Sequence, residues 1–429
     1  MATTQAIYQG PYDPILGYAR GVILKDDIAE YRVTLAAEDV LLDRYNKRGI
    51  DGLHNLMGLV DNCRLPDFFA GPAYQERFLA IKLMESRLTE LARDHMGGDE
   101  QYRAMAFNRV TAGVTSLILA LVPSASFVAY VVPPYPGLTA HGHPCTPRAV
   151  HLAGARHETI SSVEELTGVF RRERDVSLVA VCGSYRGIVR DDVLSQVCHM
   201  AHDRGIPVFV DDASGARNRV VSMGQTRAVD LGADLVFTSC EKAGLYGPRA
   251  GVLIGRKELM LKVGAKAAST GSEARPSVVA AIIRSLEEYT PEKCKEMFAQ
   301  WSVRHQHICE ILAPVMGKGL GYDSYNGVYM GLEAFAKLVK ERAGLDKLDL
   351  APIDLSAAHS MLMLRHHGFM TIAALHYAGA SKLMNVKVNA LRSPNLTDED
   401  IGSGILDSLN ELSRIAGDPA KVEGVLFGS

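Results

Sequence analysis

Four short stretches combine reactive side chains with small residues that leave room for a ligand. In Val210-Asp211-Asp212-Ala213-Ser214-Gly215 an apolar run ends in two carboxylates and a small-residue turn. In Thr238-Ser239-Cys240-Glu241-Lys242 another apolar run delivers a hydroxyl and then an amine, 31 positions after Asp211 (242 minus 211). Gly247-Pro248-Arg249-Ala250-Gly251 sets an arginine between glycine turns, and Phe107-Asn108-Arg109-Val110-Thr111-Ala112-Gly113 leads into an apolar helix. A lysine at a strand end can form a Schiff base with an aldehyde. A carboxylate can keep a ring nitrogen protonated. A helix that starts on Thr111, Ala112 and Gly113 offers N–H groups and a positive dipole end to a phosphate. Ser239 and Arg249 would add a hydroxyl donor and a planar cation to the same phosphate.

Each feature alone has a plain reading. A lysine after a strand is usually a solvated surface residue, an Asp at a strand end a cap or turn former, and Gly-Pro-Arg-Ala-Gly a turn. Their order, spacing and strand context together suit pyridoxal 5′-phosphate (PLP), with Lys242 as the Schiff-base residue and Asp211 facing the pyridine nitrogen. Asp212 competes for that place. Neighbouring side chains of a strand point to opposite faces, so only one of the two faces the ring.

The elements that must position these residues are legible in outline. Residues 25–95 read as mostly helical, with Phe78, Ile81, Leu88 and Leu91 on one face, and Gly97-Gly98 as a stop. From about residue 104, fully apolar runs alternate with helical segments. Strands are expected at Phe127–Val132, Leu178–Cys182, Pro207–Val210, Asp234–Ser239 and Gly251–Ile254, and helices at Val114–Val122 and Asp191–Arg204. That alternation predicts an α/β fold with a mostly parallel sheet covered on both faces, and such sheets place ligands at strand ends. Helices are expected at Val278–Tyr289, Glu292–Leu312 and Asp398–Ile415. Further strand-like runs lie at Gly327–Leu332, Phe369–Ala374 and Val386–Leu391. The expected organisation is an N-terminal helical segment over 1–75, a large α/β domain over 76–313 and a small α+β domain over 314–429.

Composition narrows the function. The chain has 429 residues, 46 Lys and Arg against 49 Asp and Glu, and a formal net charge of -3. A protein that holds nucleic acid by bulk charge should be strongly basic, so tRNA is not an expected partner. The Cys count is seven, odd and widely spaced, with no Cys-x-x-Cys pair. A disulfide framework and a zinc site are therefore not expected, and a cytoplasmic setting is. The long uncharged stretch from Val110 to Pro147 contains Pro123, Pro133, Pro134 and Pro136 and reads as a buried helix and strand rather than a membrane span.

The core resembles the fold-type I PLP enzymes, the aspartate aminotransferase superfamily. The resemblance rests on Asp211, on Ser239-Cys240-Glu241-Lys242 as a Ser-x-x-Lys pattern, and on Gly247–Gly251 as the following Gly-x-Arg-x-Gly-like turn. More narrowly, VFVDDASGARNR…GADLVFTSCEKAGLYGPRAGVLIGRKEL is similar to the selenocysteine-synthase branch (L-seryl-tRNA(Sec) selenium transferase) and its archaeal-type relatives. FNRVTAGVTSLILAL, HPCTPR and GSEARPSVVAAIIRSLEEY fit those relatives too. The likeness covers roughly residues 100–290.

The resemblance implies a fold-type I architecture with a seven-stranded sheet, a homodimer or larger assembly, and PLP held by Lys242. It implies a PLP-dependent transferase acting on an amino acid or amino-acid conjugate, with a nucleotide-like group on the substrate as an option. Side-chain elimination or replacement, at β or γ, is favoured over transamination. A catalytically inactive PLP-fold regulator is the reading from another class, against which both Asp211 and Lys242 argue. The family position of Asp211 relative to Ser214 favours it over Asp212. Ser184 is expected near the cofactor's 3′-oxygen, and Gly271 falls in a family-like segment at the cofactor. His143 (or His141) and Tyr135 are candidates to stack on the ring. The His141-Gly142-His143-Pro144-Cys145 cluster lacks a fourth ligand, so no metal is expected. Arg392, at an expected strand end, is the candidate for a substrate carboxylate, with Arg186 and Arg217 as the next positions.

Overall fold

The computed structural model describes residues 8, 10–13, 15–135, 142–376, 383–391 and 395–428. The chain divides into two compact units, Val60–Met297 and Met1–Leu59 with Phe298–Ser429. Both cuts lie upstream of the expected boundaries after 75 and 313.

In the unit of 60–297, seven strands form one sheet: β1 (Tyr102–Phe107), β2 (Phe127–Val131), β3 (Arg156–Ile160), β4 (Val176–Cys182), β5 (Val208–Asp211), β6 (Leu235–Ser239) and β7 (Gly251–Arg256). Their order is β1-β7-β6-β5-β4-β2-β3. β7 is antiparallel to both neighbours and all the other pairs are parallel. One edge therefore gathers the ends of β1, β4, β5 and β6 and the start of β7. Phe107 lies opposite Gly251, Gly251 opposite Ser239, and Cys182 opposite Asp211.

The inner strands are buried along their whole length, as a sheet covered on both faces requires. Alternation sorts their side chains into two cores. Val128, Tyr130, Leu178, Ala180, Phe209 and Phe237 pack with helices α2 (Val110–Leu121), α3 (Cys145–Leu152) and α6 (Lys257–Thr270). Ala129, Val179, Val181, Val208, Val210 and Val236 pack with α1 (Arg77–Met96), α4 (Val163–Arg172), α5 (Asp191–His202) and α7 (Pro276–Glu288). Asp211 continues the Phe209 face, and Asp212 the Val210 face.

The sequence reading named neither β1 nor β3. These are the two edge strands, and they carry Arg103, Arg156, His157 and Glu158, which break the apolar run. The mostly helical stretch expected over 25–95 holds two helices, Asp27–Arg48 and α1. Between them run short 3₁₀ turns, punctuated by Gly49, Gly52, Gly58, Pro66, Gly71 and Pro72.

In the other unit, Leu320–Asp323, Gly327–Gly331 and Leu383–Val386 form an antiparallel sheet. The expected strand over 386–391 is corrected, because the strand ends at Val386 and Leu391 closes a turn onto the Val388 carbonyl. The run Phe369–Ala374 is a two-residue strand followed by the helical turn Ile372–Leu375. Among the described residues no helix is long and apolar enough to cross a membrane.

Gly113 sits where α2 meets the sheet. A Cβ there would lie 2.1 Å from Phe237 Cζ and 2.9 Å from Phe107 Cγ. Both rings are fully buried and meet edge to face at 5.4 Å. Gly113→Ala should therefore destabilise the protein by about 1–3 kcal/mol through overpacking, read as a lower thermal midpoint without cofactor. An unchanged midpoint would show that the helix slides away freely.

Candidate active site

Asp211 ends β5 at 6% exposure, and its Oδ1 has no hydrogen-bond partner among the described residues. Oδ2 lies 3.6 Å from Cys145 Sγ at the start of α3, a weak thiol donor. Burial pushes the carboxyl up from 3.8 to about 6, against the opposing pull of the Lys242 charge and the Cys145 thiol. Asp212 has a different fate. On the opposite face its carboxylate takes Arg219 Nη2 at 3.0 Å and Nε at 3.3 and 3.4 Å, and both residues are buried. Asp212 is thus committed to an ion pair, while Asp211 keeps a free oxygen on the face where α2 begins.

Lys242 stands in the turn after β6, closed by the Leu245 N–H on the Lys242 carbonyl at 3.1 Å. The next two residues take the left-handed backbone, Ala243 at φ 52° and Gly244 at φ 88°. Cys294 Sγ donates to the Ala243 carbonyl at 3.5 Å. Glu241, just before the lysine, is buried, and its Oε2 has no hydrogen-bond partner. Burial raises its carboxyl, opposed by the charges of Lys242, Arg249 and Arg109.

The start of α2 has no acidic residue in its first turn and no side-chain cap. The Gly113 N–H already bonds the Arg109 carbonyl at 3.1 Å. The free N–H groups are therefore those of Val110, Thr111 and Ala112. The N–H of Gly113, a residue expected at the cofactor, is taken, and its missing side chain makes room for Phe237. The Arg249 turn lies against this helix start, since a Cβ on Gly251 would meet Val110 Cα at 3.0 Å. Burial and the charge of Arg109 lower the Arg249 guanidinium. Neither cation has an ion pair among the described residues.

The remaining candidates fall as follows. Ser239 is fully buried and its hydroxyl donates to the Ala213 carbonyl at 2.7 Å, so it ties β6 to the Asp211 loop rather than presenting a donor to a phosphate. Ser184 Oγ accepts the Ser214 N–H at 3.3 Å, and Ser214 Oγ is buried without a hydrogen-bond partner. His143 Nδ1 accepts the Cys145 N–H at 3.2 Å, and its ring meets Tyr185 edge-on at 5.4 Å. Tyr135 is half-buried just beyond β2. Gly271 is the left-handed cap of α6 at φ 64°, with nothing near its Cβ position. Arg392 and His141 lie outside the described residues. Arg217, an alternative for a substrate carboxylate, is fully buried and hydrogen-bonded to backbone, so it cannot take that part.

Sequence reasoning missed Arg109, Cys145 and Glu241. Arg109 had a signal, a cation beside an uncapped helix start. The other two had none, because only the folded chain shows that Cys145 meets Asp211 and that Glu241 is buried.

These groups share complementary deficits. Asp211 Oδ1 lacks a donor, the N–H groups of α2 lack acceptors, and Arg109 and Arg249, though near Glu241, have no ion pair among the described residues. PLP offers a protonated ring nitrogen to the first and a phosphate to the others, so the residues fit it.

No family model matches the chain. A UPF0425 pyridoxal phosphate-dependent protein of Methanothermobacter thermautotrophicus is 31% identical over 418 residues, covering 95% of this chain and 100% of that one. One of the same description from Methanosphaera stadtmanae is 28% identical, covering 87% and 92%. Among solved structures, L-threonine transaldolase from Pseudomonas fluorescens superposes with a TM-score of 0.58 at 13% identity, covering 94% of this chain and 90% of that one. N-Succinyldiaminopimelate aminotransferase from Mycobacterium tuberculosis gives 0.55 at 15%, covering 88% and 97%. The fold is that of fold-type I PLP enzymes. The curated relatives named here are UPF0425 proteins rather than selenium transferases.

The raised carboxyl of Asp211 sets a pH dependence in the cofactor-free protein. Its folded pKa of about 6 exceeds the unfolded 3.8, so the fold favours the protonated form. Stability from this group is full below about pH 4 and is lost as pH rises through about 6. Asp211→Asn removes that loss. Urea titrations should show the variant gaining on the parent between about pH 4 and pH 7, by at most about 3 kcal/mol at ~1.4 kcal/mol per unit. A difference that does not vary with pH would refute the burial cost.

Proposed function

The chain belongs to the UPF0425 family of pyridoxal phosphate-dependent proteins, and from that premise we propose an enzyme that eliminates or replaces a side-chain group on an amino acid or amino-acid conjugate. The observation that carries the cofactor geometry is the buried, unpartnered Oδ1 of Asp211 on the α2 face. The choice of side-chain chemistry rests on the sequence resemblance of residues 100–290 given above, not on the relatives matched.

When bound, PLP supplies an aldehyde that condenses with amines and a ring that draws electron density from the substrate α-carbon. Lys242 would hold the aldehyde carbon through its amine, and that amine is placed to move the proton at the substrate α-carbon. Asp211 holds a proton at the ring nitrogen, an opposite-charge pair that favours both charged forms. Arg249, Arg109 and the Val110–Ala112 N–H groups bind the phosphate. Arg392 is proposed for the substrate carboxylate, since a guanidinium matches it with two parallel donors.

We also propose that the protein associates with a second copy of itself. An apolar groove of about 560 Å³ runs between α1 and α6 along the edge strand β1. Phe78, 83% exposed, and Leu261, 71% exposed, line it side by side with Ile81, and clustered exposed apolar residues mark interaction surfaces. Light scattering should give at least twice the chain mass, and Phe78→Glu should lower it. A parent of single-chain mass would end the proposal.

Borohydride reduction of the PLP-loaded protein, followed by peptide mapping, should place the adduct on Lys242. An adduct on another lysine would overturn the assignment. An amino-acid panel read by absorbance and product mass spectrometry tests the reaction. A keto acid released with the cofactor still as the aldehyde, or an exchanged side chain, supports the proposal. Conversion to pyridoxamine phosphate would mean transamination instead.

A further inference from the structure

Arg217 lies behind the site in a short helical turn, Gly215–Arg217, and is fully buried. A buried guanidinium ordinarily sits against a carboxylate, as Arg219 does with Asp212 nearby. The hydrogen bonds of Arg217 go to neutral groups instead. Nη1 donates to His95 Nε2 at 2.7 Å and Thr238 Oγ1 at 3.0 Å. Nη2 donates to the carbonyls of Ala213 at 3.0 Å and Ser239 at 2.9 Å. Nε has no hydrogen-bond partner.

The two carbonyls are the informative partners. Ala213 is two residues past Asp211, and Ser239 three before Lys242. The Ala213 carbonyl also accepts the Ser239 N–H at 2.9 Å, Ser239 Oγ at 2.7 Å and Thr238 Oγ1 at 3.3 Å. One carbonyl thus collects donors from the end of β6, and one guanidinium bridges the segment after Asp211 to the segment before Lys242. His95, on α1, fixes the other edge of the guanidinium. An arginine can only donate, so His95 Nε2 is the bare nitrogen. Burial and the Arg217 charge hold the imidazole neutral, well below its ordinary range. Its ring meets Tyr289 edge-on at 4.8 Å.

We propose that Arg217 is a positioning residue that sets the distance between Asp211 and Lys242 by clamping the Ala213 and Ser239 carbonyls with one nitrogen. The planar fork is suited to this. Its four Nη hydrogens lie in one plane and reach partners on β6, on the Asp211 loop and on α1 together. A lysine carries the same charge as a single point and cannot bridge the carbonyls while holding His95. The proposal rests on the assignment of Asp211 and Lys242 above, but the clamp itself is a property of the cofactor-free chain and is testable there.

The test is hydrogen exchange by mass spectrometry on cofactor-free parent, Arg217→Lys, His95→Leu and His95→Gln. Arg217→Lys should exchange at least tenfold faster in peptides covering 211–216 and 238–243, with the rest of the sheet at parent rates. His95→Leu should show the same local pattern more weakly. His95→Gln, which keeps an acceptor, should stay near the parent. After PLP loading, borohydride trapping on Lys242 should slow about tenfold in Arg217→Lys. With substrate, kcat should fall far more than KM changes. Parent-like exchange in Arg217→Lys would overturn the clamp. So would faster exchange spread over the whole chain in both Arg217→Lys and His95→Leu, since that is the mark of a residue that merely stabilises the fold. If the local exchange appears and borohydride finds no adduct on Lys242, the clamp stands and the cofactor assignment fails.

Discussion

Two adjacent carboxylates at the end of a buried strand cannot be treated alike by the fold. Alternation sends Asp211 and Asp212 to opposite faces, and burial charges each a desolvation cost unless something compensates it. On one face the protein compensates fully with the buried Arg219. On the other it offers a thiol at 3.6 Å, the Lys242 charge and the Ala213 backbone, and leaves one carboxylate oxygen without a hydrogen-bond partner. That asymmetry gives the sheet edge a direction. The open helix start, the paired arginines and the lysine turn carry meaning because they lie around the edge from which the uncompensated carboxylate faces.

The glycines near the site divide between the two faces in the same way. Gly183 and Gly215 look like ligand-cradling residues in a sequence. A Cβ at either would strike Asp212, at 2.6 Å and 1.7 Å from Oδ1. They are small because the Asp212–Arg219 pair needs the space. Gly113 and Gly251 are small because a ring and a helix backbone approach them. The residues proposed to hold the cofactor are thus held in place by close packing around these glycines.

Much of this was legible in the sequence, and the failures share a cause. The inner strands could be read because burial on both faces makes them apolar throughout. The edge strands could not, because one side of each is wet. Lys242, Asp211, Arg249 and the α2 start were found by type and spacing, and the structure gathers them along one sheet edge. Ser239, Gly113 and Gly271 have structural parts that the sequence hides, because sequence gives a residue's neighbours along the chain but not its partners across it. Ser239 has a hydroxyl in the expected place, but the nearest acceptor is the Ala213 carbonyl. Arg217 is the same failure in reverse. An arginine just beyond a strand end reads as a ligand for substrate, and only the fold shows it turned inward.

The charges of the site close the argument. Around the Asp211 edge stand Lys242, Arg109, Arg249 and, behind it, Arg217. Against them stand Asp211 and Glu241, both with carboxyls raised by burial. Without a ligand this arrangement is frustrated. Burial, and then the charge of Arg109, lower the Arg249 guanidinium, while two buried carboxyls resist the ionisation that would balance the cations. An anion carrying two charges relieves the crowding directly, and a protonated ring relieves Asp211. Local inconsistency of this kind is expected where a fold holds a place for something that is not protein. Whatever binds there adds to the stability of the folded chain alone, because only the folded chain assembles the four cations and two acids. The imbalance among these charges is therefore the source of the site's affinity.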